Sequence, residues 1–411
     1  MRILQLAGYF YPEQAASIYL EENRYQVFAE NDFHTIVYTA TPTRGISEEQ
    51  YKEFKTRKHE FMYDGKLEVF RFSMFREGKN PLLRALRYFL ISFVQFYKGI
   101  VAKDLDLIYV ASTPPTQGAL AALVKKIKKV PFVYNLQDIF PDSLAGTGLA
   151  KKGGLLWKIG RVIENFTYRN ADKIIVISED FKRNIMAKGV PEEKIVVVYN
   201  WVDEEAVKHV AREDNKLFDT YGLDRSKFYI TYSGNIGLTQ NMDMLLEVAK
   251  ELETAEPEIQ FVLIGEGAYK KRVQEIIAEK NICNVTLLPF QPYEDISHVF
   301  SLGDVGLVIS KPGVGENSVP SKTWSILSAS RPVLANFDEN ELKSIVNDNQ
   351  CGIFTKAGDK EAFKKAILDL YQDRARCELL GRNGREFILK NLTRAVGTQK
   401  YVDVIKSFEK A

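Results

Sequence analysis

Short runs of apolar residues alternate along this chain with longer stretches of helical periodicity. The runs "RILQLAG", "HTIVYTA", "LEVFRF", "LDLIYVAS", "PFVYNLQD", "KIIVIS" and "KIVVVYN" are each bounded by Gly, Pro, Asp or charge. Amphipathic segments such as "ASIYLEENRYQVFAEN" and "TQGALAALVKKIKKV" lie between them. Continuous apolar strands alternating with helices predict a parallel sheet covered on both faces. The pattern pauses over about 204–226, a charged stretch read as a linker, and then restarts. The second series is "FYITYSGN", "IQFVLIGEG", "NVTLLPF", "VGLVIS", "RPVLANF" and "CGIFTK". This predicts an α/β domain over 1–203, a second over 227–390, and a terminal helix over 391–411. Two doubly wound domains create a cleft outside the carboxyl ends of their strands, where ligands bind. Functional residues should therefore follow strands.

Length agrees with this division, since 411 residues exceed one ordinary core. Hydrophobic content of 45% and charged content of 27% describe a soluble globular chain. A formal net charge of +2 disfavours nucleic acid as a partner. Three cysteines and four histidines, scattered without ligand spacing, argue against a metal centre and fit a reducing cytosol. "MRILQLAGYF" reads as a buried first strand rather than a secretory leader. No stretch reaches the ~20 apolar residues of a spanning helix.

Five segments carry candidate chemistry. "YSGNIGLTQNMDM" places Gly234, Asn235 and Gly237 in a strand–loop–helix turn, where glycine allows backbone amides to approach a phosphate. The bland reading is a structural turn. In "IGEGAYKK", Glu266 is placed to hold sugar or ribose hydroxyls, or is an exposed turn glutamate. "KPGVGENSVPSKTWSILSAS" reads as loop then helix, with Ser318 as N-cap and Pro320 in the first turn. Orphan amides around Ser321, with the Lys322 charge, would suit a diphosphate; the alternative is a capped surface helix with a solvated lysine. In "PFVYNLQDIFPDSL", Asp138 ends a strand and could orient an acceptor hydroxyl, or the acids there cap the next helix. Finally, "FREGKNPLLRALRYFLISFVQFYKGIVAK" has Arg76, Lys79, Arg84 and Arg87 ahead of an aromatic run with almost no acid. That suits an anionic membrane surface, with a core helix as the competing reading.

Together, "LQLAGYFYPEQAASIYLEE", "KIIVISEDFKRNI", "VVVYNWVDEE", "YSGNIG", "FVLIGEG", "VTLLPFQPYEDISHVFSLGDVGLV" and "SILSASRPVLA" resemble the retaining glycosyltransferases of family 4, with the GT-B fold. "LQDIFPDSL" and "SVPSK" are similar to the bacterial surface-polysaccharide branch, including the WbuB-like N-acetylfucosamine transferases. The resemblance covers nearly the whole chain. It implies two Rossmann-like domains facing a cleft, with the last helix crossing back to the first domain. It also implies a nucleotide-sugar donor, UDP-linked by family habit, held by the second domain, and no metal or other cofactor. The implied acceptor is a polyprenyl-diphosphate-linked saccharide at the cytoplasmic membrane face. Pro289, Phe290, Lys311 and Val319 join the implied donor-binding set. The family's two glutamates, seven residues apart, fall here on Asn317 and Ser325. Either Glu316, one place earlier, takes the first role, or Asn317 does so with an amide, or the site is weakened. The family's basic pair is replaced by Asn235 and Gln240, so Lys322 first and Lys311 second are expected to balance the diphosphate. Ala15 and Ala16 stand where two glycines are common. Retention without an evident nucleophile implies same-face attack, with Asp138 orienting the acceptor. Two other readings share the architecture: a UDP-sugar 2-epimerase, and a degenerate partner subunit without catalysis.

Overall fold

The structure, a computed structural model, describes residues 1–13, 18–78, 80–143, 151, 153–315 and 319–409. The chain divides into two compact units, one of residues 1–199 with 397–411 and the other of residues 200–396.

The first unit holds an eight-stranded sheet in the order β3-β4-β2-β1-β5-β6-β7-β8. Its strands are β1 (Arg2–Leu6), β2 (His34–Ala40), β3 (His59–Met62), β4 (Leu67–Phe72), β5 (Leu107–Ala111), β6 (Phe132–Leu136), β7 (Lys173–Val176) and β8 (Ile195–Val197). All pairings are parallel except β3 with β4, an edge hairpin. The central strands are apolar on both faces because helices cover both; every residue of β6 is buried. "HEFM" escaped the apolar-run reading because it lies at the edge and is nowhere buried.

The second unit holds a six-stranded, wholly parallel sheet in the order β11-β10-β9-β12-β13-β14. These strands are β9 (Phe228–Ser233), β10 (Ile259–Ile264), β11 (Val285–Leu288), β12 (Val305–Ile309), β13 (Val333–Phe337) and β14 (Gly352–Lys356). Renumbered within the unit the order is 3-2-1-4-5-6, so the direction of winding reverses between β9 and β12. Doubly wound sheets bind ligands at that reversal. The segment expected as a linker falls within this unit: Leu217 and Phe218 are buried against Tyr229 and Val262. Its few apolar residues are hidden among charges, so its packing was not legible as a run.

The terminal helix spans Arg394–Lys406, and the residues from Gly397 onward belong to the first unit. There Tyr401 is buried beside Tyr109 of β5, and its hydroxyl donates to Asn135 Oδ1 at 3.2 Å.

Candidate functional site

In the second unit, the carboxyl ends of β9 and β12 converge on one lysine. Lys322 is the first residue of the Lys322–Ser328 helix. Its Nζ lies 3.6 Å from the centroid of the Tyr232 ring, one residue before the end of β9. Burial alone pushes the ammonium down to about 7. Among the described residues it has no hydrogen-bond or ion-pair partner, and the Ser310 hydroxyl, buried at the end of β12, has none either. Both groups line a pocket of about 130 Å³ with Thr239, Gln240, Gly315 and Pro320.

The walls follow from local chemistry. Gly234 adopts φ +134°, and a side chain there would meet the Lys322 ammonium at 3.1 Å. Gly265 follows β10 directly against the Gly234 carbonyl, 1.9 Å from where a Cβ would sit, so only glycine lets the two loops touch. Gln240 Oε1 accepts from Gly237 N at 3.0 Å, and Tyr232 Oη donates to Asn235 O at 2.6 Å. The position where a family basic residue is expected thus braces its own loop. Lys311 N donates to Thr239 O at 2.8 Å and joins that loop to the next. Asp338, after β13, fixes the 311–315 loop by accepting from Gly313 N at 2.9 Å and Gly315 N at 2.6 Å.

The remaining predicted residues are dispersed. Lys311 Nζ stands 5.3 Å over the Tyr269 ring. Glu266 is 63% exposed by side chain and pairs with Lys270 at 2.6 Å, which fits the exposed-turn reading of that residue. Pro289 and Phe290 follow β11, and Phe290 is 71% exposed. Val319 is partly buried and Ser321 exposed. Glu316, Asn317 and Ser318 lie outside the described residues. The helix begins two residues after Pro320, with Ser321 as N-cap and no side-chain cap bond. Thr323 N and Trp324 N already donate to Pro320 O and Ser321 O. The amides of Thr323 and Trp324, expected in the cradle, are therefore spent on the turn itself.

In the first unit, Asp138 follows β6. Ser112 Oγ accepts from Gln137 N at 3.0 Å and Asp138 N at 3.1 Å, and Ser143 Oγ donates to Asp138 Oδ2 at 3.0 Å. Burial raises the Asp138 carboxyl, and the Ser143 bond partly offsets this. Gln137 Nε2 donates at 2.9 Å to the same Asn135 Oδ1 that receives Tyr401, so the terminal helix braces the Asp138 loop. Sequence reasoning missed Tyr232, Ser310 and Tyr401, which read as ordinary strand and helix positions.

The helix Pro81–Val101 inverts the usual arrangement. Arg87, Ile91, Gln95 and Gly99, four apart, form its buried face. Arg87, expected at a membrane surface, is 1% exposed and donates to Phe75 O at 2.9 Å and Thr41 O at 3.4 Å. Gln95 donates to Ala7 O at 2.8 Å and Tyr38 O at 2.9 Å. Buried backbone carbonyls take up donors, which is why these polar side chains face inward. Outward stand Leu82, Leu86, Phe89, Phe93 and Tyr97, with Phe89 68% exposed and Phe93 67%. Arg84 pairs with Glu77 at 3.2 Å and Arg76 pairs with Glu48. Lys79 lies outside the described residues. Among the described residues no helix is long and apolar enough to cross a membrane, and no group of three or more His, Cys, Asp or Glu is placed to hold a metal ion.

Two family models divide the chain between them. Glycosyltransferase Family 4 matches residues 26–206, and Glycosyl transferases group 1 matches residues 213–387. The chain belongs to these glycosyltransferases. It is 31% identical over 209 residues to the putative colanic acid biosynthesis glycosyl transferase WcaI of Escherichia coli, covering 50% of this chain and 51% of that protein. With the probable glycosyltransferase WbjE of Pseudomonas aeruginosa it shares 24% over 346 residues, 82% of this chain and 84% of that one. Among solved structures, this glycosyltransferase superposes on Anabaena HepE in complex with UDP at a TM-score of 0.73 and 18% identity, covering 99% of this chain and 100% of that one. WaaG, a glycosyltransferase of lipopolysaccharide biosynthesis, gives 0.69 at 11% identity, covering 98% and 99%. These likenesses identify the GT-B fold.

Proposed function

We propose that this glycosyltransferase moves a sugar, with retention and without a metal, from a UDP-sugar to a lipid-linked saccharide in bacterial surface-polysaccharide synthesis. The observation that carries the reading is the Lys322 ammonium, held over the Tyr232 ring at the reversal of the second sheet with no hydrogen-bond or ion-pair partner among the described residues. A buried unpaired cation is costly, and a bound diphosphate relieves that cost. As the bond to the sugar breaks, the leaving diphosphate gains charge, and a preformed ammonium stabilises it. Ser310 Oγ adds an unpartnered hydroxyl to the same pocket. Asp138 orients the acceptor hydroxyl, its raised carboxyl fitting a group that handles a proton near neutral pH. The relative named for colanic acid and the UDP-bound HepE structure support polymer class and nucleotide.

The lipid-linked acceptor is supported by the outward apolar row of the Pro81–Val101 helix. The helices Gln117–Lys128 and Leu155–Asn170 add exposed Leu123, Ile127, Leu155 and Val162. Across all three helices the sole acid is Glu164, which is buried, whereas Lys126 and Lys158 are exposed. That combination fits the anionic inner face of a cytoplasmic membrane.

Calorimetry with UDP, followed by transfer assays on a polyprenyl-diphosphate sugar with and without chelator, tests the reading. UDP should bind and Lys322→Met should weaken it by about a hundredfold, the scale of a desolvated charge pair. Undiminished binding by that variant overturns the assignment of Lys322.

A further inference from the structure

The opposite end of the second sheet carries a larger pocket, of about 640 Å³. It forms where Phe228 opens β9, Asp304 precedes β12 and Pro332 precedes β13. A strand of this length rises roughly 17–20 Å, so this pocket is separated from Lys322 by about the length of a strand.

Four arginines line it: Arg212, Arg331, Arg374 and Arg382. Two of them reach a single carboxylate. Asp304 Oδ1 accepts from Arg212 at 2.6 Å and lies 3.7 Å from Arg374, while Oδ2 accepts from Tyr229 N at 2.8 Å. Arg212 is further tied to the carbonyls of Arg225 and Lys227, so its role is structural. Arg331 has no carboxylate within ion-pair distance among the described residues. Its Nη2 donates to Ser301 O at 2.9 Å, and its buried Nε has no partner. The Arg374 guanidinium carbon lies over the Phe228 ring, 4.1 Å from the centroid. With Glu213 and Glu378 counted, the pocket sets four guanidinium groups against three carboxylates, an excess of one positive charge. Guanidinium forks so placed match the geometry of a phosphate. At the rim stand Glu213 and Glu378, both exposed; Glu378 meets Arg382 only at 3.8 Å. Carboxylates beside a cationic pocket repel a bare polyanion and accept from hydroxyls.

We infer that this pocket is a second ligand site, which takes a phosphorylated sugar: phosphate on Arg331 and Arg374, sugar hydroxyls on Glu213 and Glu378. It shares no residue with the proposed transfer site. The helix that begins at Lys322 ends two residues before Ser330, which also lines this pocket, so one short element joins the two regions.

The test is calorimetric titration of glucose 6-phosphate and of inorganic phosphate into the full chain, alone and saturated with UDP. Glucose 6-phosphate should bind in both conditions, about tenfold or more tighter than phosphate. Arg374→Ala, at the exposed edge, should weaken it about tenfold and leave UDP affinity unchanged. Arg331→Met should do the same; if that buried change prevents folding, the Arg374 variant still decides. Failure of glucose 6-phosphate to bind overturns the inference, as does equal binding of phosphate, or loss on Lys322→Met with retention on Arg374→Ala. Because the titration without UDP stands alone, failure of the donor assignment leaves this result readable.

Discussion

Lys322 makes a quantitative prediction at the scale of one residue. An ordinary lysine titrates at 10.5, and burial brings this one to about 7. Between those values the unfolded chain binds the proton and the unliganded folded chain does not. Stability of the unliganded protein should therefore rise with pH from about 7 towards 10.5, a slope absent from Lys322→Met. A diphosphate restores the charge, so UDP binding should take up a proton. Its affinity should fall by up to ~tenfold per pH unit above about 7. Calorimetry at pH 7, 8 and 9 in buffers of different ionisation enthalpy measures both effects. At the same scale, Asp138→Asn should cost ~10²-fold or more in transfer rate while leaving UDP affinity intact. Initial rates beside a binding isotherm separate the two. The lysine was legible in sequence because a strand, a proline and a helix bracket it. Its floor was not: Tyr232 reads as one more apolar strand residue, and only the fold shows its ring beneath the ammonium.

The Pro81–Val101 helix shows where reading at the level of elements stops. Its apolar and basic residues are plain in sequence, but periodicity alone does not say which face meets the protein. The carbonyls of Phe75, Thr41, Ala7 and Tyr38 decide that, and they draw in Arg87 and Gln95. These partners lie far apart in sequence, so no local pattern reports them. The leucines and phenylalanines left outside then predict lipid affinity. Replacing Phe89 and Phe93 with serine should remove ~2 kcal/mol each and weaken binding to anionic vesicles by about 10²- to 10³-fold. Sedimentation with phosphatidylglycerol vesicles measures it, and UDP affinity should not change. Among the strands, central runs such as "LIYVA" announce themselves because helices bury both faces. β3 does not, since an edge strand with no buried residue carries no such signature.

Over the whole molecule, the first unit depends on the last residues of the chain. Tyr401, Val402 and Ile405 are almost wholly buried there. Ending the chain at residue 396 should cost the first unit on the order of 5 kcal/mol, comparable to the stability of a small domain. Hydrogen exchange should show β5 and β6 losing protection, while the second unit still binds UDP. Tyr401→Phe is the milder version: it removes the bond to Asn135, and should lower transfer more than it lowers the melting temperature, because Asn135 also holds Gln137 beside Asp138.

The same division sets an order of events during synthesis. A ribosome delivers residues 1–199 first, yet that unit lacks its closing helix until residues 397–411 emerge. The second unit has no such wait, because its 197 residues are contiguous. The half made first is therefore completed after the second, and until residues 397–411 emerge the nascent chain carries an unfinished surface around Tyr109 that chaperones would have to shield.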